Sequence, residues 1–174
     1  MQLTIASYND LDNVVELVNQ AYRGASFQGW TTEANLIEGP RVDRQALVQN
    51  IETGSTTILL ARDQASHQVQ GCVAVRPTEN EEWYLSMLAV SPVSQTAGLG
   101  KSIMAAAETF VVERGARSLK ISVIDARDAL IAWYERRGYQ RTGEIEPFPY
   151  DDPSVGVPLR ADLTLVTLRK HLCG

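Results

Sequence analysis

The residues Gln95-Thr96-Ala97-Gly98-Leu99-Gly100 form a short turn with two glycines between an apolar run and a helical one. Upstream, residues 83–90 (WYLSMLAV) are aromatic and apolar and end at Ser91-Pro92, the pattern of a buried strand closed by a turn. Downstream, Leu99, Ile103, Ala106, Ala107, Phe110 and Val111 recur at i, i+3/i+4 spacing and share one helical face. A strand, a loop of small residues and a helix N-terminus together make an anion site. The first backbone N–H groups of such a helix have no intrahelical partner, and the helix dipole favours negative charge there. Glycine lets a phosphate approach the backbone closely. Lys101 follows on the helix surface, where it either adds a charge to the site or is solvated.

Two known patterns compete for this loop. Gly98-Leu99-Gly100-Lys101-Ser102 resembles the end of a Walker A loop, G-x-x-x-x-G-K-[ST], but Gln95 stands where its first glycine belongs. The pattern [QR]-x-x-G-x-[GA] is met by Gln95, Gly98 and Gly100. It resembles the loop that cradles the pyrophosphate of acetyl-CoA in the general-control-type N-acetyltransferases, the GNAT superfamily. A glycine-rich strand-to-helix turn without a ligand is the third reading of the same residues.

The elements that must hold this loop are bounded by size and composition. A chain of 174 residues, 44% hydrophobic and 21% charged, reads as one globular domain, residues 1–174. Its net charge of −5 argues against nucleic acid as the main partner. Cys72 lies in an apolar run and Cys173 in the C-terminal tail, so neither a disulfide framework nor a metal site is expected. The early Asp10 and Asp12 leave no apolar core for a signal peptide, and no apolar run is long enough to span a membrane. A cytoplasmic enzyme is the expectation. The oligomeric state stays open, a homodimer included.

In chain order, Leu3, Ile5 and Ser7 alternate in a first strand over residues 2–7. A helix capped by Asn9 or Asp10 follows, with Leu11, Val14, Val15, Leu17, Val18 and Ala21 on its apolar face. Residues 22–40 break the pattern with Gly24, Gly29 and Gly39. A loop this long in a compact domain is usually functional, and Tyr22, Phe27, Trp30 and Glu33 are its exposed candidates. Asp43 caps a second helix through Ile51. Strands follow at residues 56–63, 70–77 and 83–90, the first two joined by a turn containing His67, which reads as solvated. Beyond the helix closed by Gly115 come a strand at 118–124, a helix over 125–137 and a strand from Tyr139. A proline-rich loop, residues 147–158, precedes a last strand around residues 163–168. The order β-α-α-β-β-β-α-β-α-β-β predicts an α/β (α+β) protein: a mixed, mostly antiparallel central sheet flanked by helices.

That order, with the glycine loop after the third strand of the meander, resembles the GNAT fold over the whole chain. A second segment, ALIAWYERRGY from Ala129 to Tyr139, is similar to the family's second signature, in which an Ala, a Tyr and a Gly-aromatic pair recur at the spacing of Ala129, Tyr134 and Gly138-Tyr139. It lies about forty residues after the first, and too little chain follows Lys101 for an NTPase, although Asp125 imitates a Walker B acid.

The resemblance implies acetyl transfer from acetyl-CoA to a primary amine of a small molecule or peptide. It implies that the backbone of Leu88, Ala89 and Val90 pairs with the pantetheine arm. The N–H groups of Gln95, Thr96, Ala97, Gly98, Leu99, Gly100 and Lys101 would hold the pyrophosphate. Tyr134 matches the family's general acid. Its phenol, with an ordinary pKa of about 10 against about 8.5 for a thiol, stays protonated and can pass a proton to the leaving thiolate.

Two departures from the family pattern bear on the chemistry. Arg127 stands where the second signature has Asn, and so becomes a candidate cofactor contact. Ser86 stands where many relatives carry a Glu, four residues before Val90. Deprotonating an ordinary ammonium at pH 7 costs about 4.6 kcal/mol, so a base or a water relay is needed. Glu33 and Glu82 are the candidate acids, and Ser86 and Tyr84 the candidates to hold a relay water. The acceptor is expected between loops 22–40 and 147–158. There Trp30 with Glu33, and Phe148 and Tyr150 with Asp151 and Asp152, suit a cationic amine. The alternatives are an acetyl-CoA-binding module without turnover and, remotely, a P-loop NTPase. No metal is called for.

Overall fold

The computed structural model describes residues 1–24, 32–92, 94 and 98–172. Their strands and helices follow in the order β1 (Thr4–Ile5), α1 (Leu11–Arg23), β2 (Ile37–Glu38), α2 (Arg44–Thr53), β3 (Thr57–Arg62), β4 (Val69–Pro77), β5 (Glu82–Val90), α3 (Leu99–Val112), β6 (Ser118–Ile124), α4 (Asp128–Glu135), β7 (Gln140–Pro147), β8 (Val157–Pro158) and β9 (Thr164–His171). Seven strands form one sheet in the order β1-β3-β4-β5-β6-β9-β7. Every pairing is antiparallel except β5 with β6. The fold is thus the mixed, mostly antiparallel sheet with flanking helices that the element order predicts. No helix among the described residues is long and apolar enough to cross a membrane.

The two faces of the sheet bury different helices. On one face Leu11, Val14 and Val18 of α1 and Leu47 of α2 pack on Ile58, Leu60, Cys72 and Ala74. On the other, Ile103, Met104 and Val111 of α3 and Leu130 and Ile131 of α4 pack on Leu59, Val73, Val75 and Leu119. A third cluster, Leu36, Ile37, Ile124, Phe148 and Leu163, joins the two long loops to the end of β6.

Within β5 the alternation of faces inverts. Trp83 and Leu85 belong to the α3 side, yet Met87 and Ala89 pack on the α1 side, and Leu88 and Val90 return to α3. Period two allows this only if one extra residue is inserted. The register places it: Ala74 pairs with Ser86 and Cys72 with Ala89, and between them Met87 takes φ +53°. The Cys72 thiol donates to the Met87 carbonyl at 3.5 Å. Burial pushes that thiol up to about 12, so Cys72 is a packing residue here.

Several boundaries differ from the sequence reading. The first strand shrinks to two residues because the chain turns into a short 3-10 helix at Tyr8–Asp10, where Ser7 and Asp10 bond each other reciprocally. Helix α1 runs on to Arg23, and Tyr22 is buried rather than exposed. Loops 22–40 and 147–158 are not independent: β2 and β8 zip them together through Ile37 opposite Pro158 and Glu38 opposite Val157. Asp125 precedes α4, and its Oδ1 accepts from the N–H groups of Ala126 and Thr164, clasping β6 to β9. That is a structural job, unlike a nucleotide-binding acid.

Gly71 sets how closely α3 approaches the sheet. A Cβ there would overlap the Ile103 Cδ1 methyl and lie 3.1 Å from the Ala89 carbonyl oxygen. Gly71→Ala is expected to destabilise by about 1–3 kcal/mol through overpacking. Adding Ile103→Val, which removes the overlapping methyl, should recover much of that loss in chemical denaturation. Additive costs in the double variant would refute the contact.

Candidate active site

Strands β5 and β6 run together for only three pairs, Glu82 with Ser118, Trp83 with Leu119 and Tyr84 with Lys120. Beyond them the strands part, and residues 85–90 have no strand partner on that edge among the described residues. The opening leads into a cleft of about 170 Å³. Its walls come from β5 (Tyr84 to Leu88), β6 (Ile121 to Ile124), α4 (Leu130, Tyr134), the end of α1 (Tyr22, Arg23) and the two zipped loops (Glu33, Ile37, Arg41, Phe148, Val155).

Tyr134 reaches this cleft from α4 because Leu130, Ile131 and Tyr134 share the buried face of that helix. Its ring sits edge-on between Trp133 and Tyr139, with centroids 5.0 and 5.6 Å away. Burial, and next the Tyr22 phenol, push its pKa above the ordinary value of 10.0, while Arg127 pulls the other way. The hydroxyl therefore holds its proton throughout the neutral range.

Tyr22 binds the edge strand directly: its hydroxyl donates to the Leu88 carbonyl at 3.1 Å. Burial is the main reason its pKa is pushed up to about 12, with Arg41 opposing. Arg41 and Arg127 stand 5.6 and 5.9 Å from its ring centroid.

Glu33 is buried in the same cleft, and both its oxygens are engaged. Arg127 Nη1 lies 2.7 Å from Oε1, and Arg23 Nη2 lies 3.3 Å from Oε2. To accept a proton from an amine, Glu33 would have to loosen one pair and leave a buried guanidinium without its counter-charge. That geometry argues against it as the base. Arg127, expected beside the cofactor, donates to Glu33 and lines the cleft with it. Glu82 is also committed elsewhere, accepting from Arg169 Nε at 2.5 Å and from the Ser118 hydroxyl at 3.3 Å. Ser86 and Tyr84 line the cleft half-buried, and Arg76 stacks 4.8 Å from the Tyr84 ring centroid. Asp151 and Asp152 are exposed and do not line it. Trp30, Phe27, Gln95, Thr96 and Ala97 lie outside the described residues.

At the start of α3, Gly98 caps the helix in the left-handed region at φ +70°, and no side chain caps the first turn. Among the described residues, nothing lies within 4 Å of where a Gly98 Cβ would stand. Leu99 is half-buried, Gly100 buried and Lys101 exposed. A helix start without a side-chain cap is the kind of terminus that accepts a phosphate.

A sequence model of the acetyltransferase (GNAT) domain matches residues 31–148, more than half of the chain. The chain belongs to the GNAT acetyltransferase family. Solved structures agree on the fold. The ribosomal-protein-alanine N-acetyltransferase of Brucella melitensis superposes with a TM-score of 0.72 at 23% identity, covering 99% of this chain and 100% of that one. An N-acetyltransferase from Staphylococcus aureus Mu50 gives 0.71 at 15%, covering 99% and 98%. The ribosomal-protein-S18-alanine N-acetyltransferase of Escherichia coli gives 0.70 at 16%, covering 99% and 94%. Curated protein sequences contain no match to the chain.

Within this GNAT fold, Arg23 and Arg41 line the cleft although sequence reasoning missed them, and Tyr22, a candidate as an exposed loop residue, lines it as a buried helical one. Tyr22 had a signal, since it continues the i+4 row of Val14 and Val18. Arg23, the last residue of α1, and Arg41, in a loop, had none, because the direction of their side chains is set by tertiary contacts.

Glu33→Gln should leave Arg23 and Arg127 without their shared anion and lower unfolding free energy by about 3 kcal/mol, the scale for breaking a buried ion pair. Thermal and urea unfolding test this. An unchanged stability would mean that the carboxylate contributes no net attraction.

Proposed function

We propose that this protein is an N-acetyltransferase that moves an acetyl group from acetyl-CoA to the primary amine of a small molecule or peptide. The observation that carries the reading is the free edge of β5, residues 85–90, in a cleft that also receives Tyr134. An unpaired strand edge is a template for an extended, amide-bearing chain, and the pantetheine arm is such a chain. The α3 start fits the pyrophosphate: uncapped N–H groups, an open Gly98 and an exposed Lys101 beside them. Acetyl-CoA bound in this way supplies the acyl group as a thioester.

The protein's own residues do the rest in this reading. The bulge at Met87 turns the Leu88 backbone out of register with β4, and Tyr22 fixes that segment through the Leu88 carbonyl. Tyr134 keeps its proton until the thiolate needs it. With Glu33 ion-paired, the amine's proton leaves through a water held by Ser86 and Tyr84, both on the cleft wall. Two of the structural neighbours are ribosomal-protein-alanine N-acetyltransferases, which supports an amine acceptor. A binding module without turnover would have no use for a buried, protonated phenol at the open strand edge.

Release of free thiol from acetyl-CoA across an amine panel is the direct test, and no release with any amine would leave only the binding-module reading. Tyr134→Phe should lower kcat about 10²-fold while stability and the KM for acetyl-CoA hold. Because the Tyr134 pKa is raised, kcat of the wild type should rise as the amine deprotonates and show no descent at pH 10. A descending limb there would mean that a different acid acts.

Gly98→Glu checks the cofactor site separately. The left-handed φ costs a non-glycine residue about 1–2 kcal/mol, which the fold should survive, while the added carboxylate repels the pyrophosphate. Undiminished acetyl-CoA binding by calorimetry would move the cofactor away from this loop.

A further inference from the structure

Four ionisable acid–base side chains other than tyrosine line the cleft, and their charges do not cancel. Arg23, Arg41 and Arg127 stand against the single carboxylate of Glu33, a formal excess of two positive charges in a protein whose net charge is −5. No residue from 25 to 31 carries a charge that would redress this. Among the described residues, no carboxylate is within ion-pair distance of Arg41. Arg23 is more telling. Its side chain is 8% exposed, yet among the described residues Nε and Nη1 are buried without a hydrogen-bond partner. Its remaining nitrogen, Nη2, is divided between Glu33 and the Val155 carbonyl at 3.2 Å. Burial is the main reason its pKa is lowered; Glu33 opposes this, and Arg41 and Arg127 lower it further. Donors buried without acceptors cost free energy and call for an explanation. An anion arriving in the cleft supplies one.

Tyr22 measures where that anion would sit. Its hydroxyl is on the Leu88 carbonyl, and the guanidinium carbons of Arg41 and Arg127 lie 5.6 and 5.9 Å from its ring centroid. The cationic cluster is therefore one aromatic side chain away from the strand edge where acetyl transfer is proposed. The cleft itself is about 170 Å³. A ligand spanning these points is small, and its amine and its anionic group are a few bonds apart.

We infer that the acceptor is a small amino acid, or an amino-acid-like acid, whose carboxylate is bound by the arginine cluster of Arg23, Arg41 and Arg127 while its amine faces the β5 edge. This rests on the acetyltransferase reading and names its substrate class. It replaces the expectation of a purely cationic amine, because Asp151 and Asp152 lie outside the cleft and the one carboxylate inside is neutralised. Planar guanidiniums suit a carboxylate better than any other group present in the cleft.

The test is a thiol-release assay with matched sets: leucine, methionine, phenylalanine and glutamate, the α-carboxamide of each, and the corresponding decarboxylated amine. The free acids should have kcat/KM at least tenfold above their amides and amines. Arg41→Gln should raise KM for the acids about 10- to 100-fold, the scale of one charge-assisted hydrogen bond, and so shrink the preference for free acids over their amides by the same factor. Arg41→Lys should restore part of the loss. Equal or better turnover of amides and amines would overturn the inference and leave the acetyltransferase reading standing. Preference for peptides with an acidic N-terminus over free amino acids would overturn the small-acid assignment. If no thiol is released at all, the acetyltransferase reading fails, and calorimetry with N-acetylleucine and N-acetylleucinamide decides the anion site by itself. Tighter binding of the acid that is lost in Arg41→Gln upholds it. Equal binding, or none, refutes it.

Discussion

The parting of β5 from β6 after three residue pairs is the constraint on which the rest of the structure depends. Each strand is held along its outer edge, β5 by β4 and β6 by β9, whose register runs from Ser118 to Ile124 without a break. Neither strand can follow the other without giving up those bonds. The bulge at Met87 adds local twist on the β5 side, and so helps to swing the two apart. A wedge-shaped gap between strands would ordinarily be filled by apolar side chains. Here Leu130 and Tyr134 of α4 fill part of it, and the remainder is the cleft.

A gap lined by ion pairs and unpartnered guanidinium nitrogens is a poor source of stability. Taking charges out of water costs several kcal/mol each, and a buried pair often does no better than packed hydrocarbon. The zipper of β2 with β8 and the cluster of Leu36, Ile37, Phe148 and Leu163 instead hold the cleft walls together. Stability and charge are thus separated. Apolar contacts fix the walls, and three arginines stand on those walls with the single carboxylate of Glu33 among the described lining residues. A local violation of polar satisfaction in an otherwise well-packed protein is what a binding site looks like on physical grounds.

The parts of this arrangement that are local in sequence could be read from it. The strand, the glycine turn and the helix around Gly98 announce themselves by periodicity and by residue type, as do the buried face of α4 and Tyr134 upon it. The paired loops could not be read. β2 and β8 are two residues each and stand far apart in the chain, so no alternation is long enough to detect, and their pairing depends on where β6 and β9 end. Glu33 illustrates the limit. Its place in the cleft was foreseeable from a long loop carrying an acid, but its partners, Arg23 at the end of α1 and Arg127 before α4, come together only in the folded chain. A carboxylate looks like a base in one dimension and like half of an ion pair in three.

The distribution of these groups also separates what the proposed reaction needs from what its acceptor needs. The strand edge, the α3 start and Tyr134 belong to β5, α3 and α4, and Gly71 fixes the closeness of α3 to the sheet. The charged groups come mostly from the end of α1 and from the loop bearing Glu33 and Arg41. Tyr22 is the side chain that touches both sets, with its hydroxyl on Leu88 and its ring near two guanidiniums. A rigid ring transmits position without needing to move. Through these two ends the ring ties the position of the β5 edge to that of the charged wall.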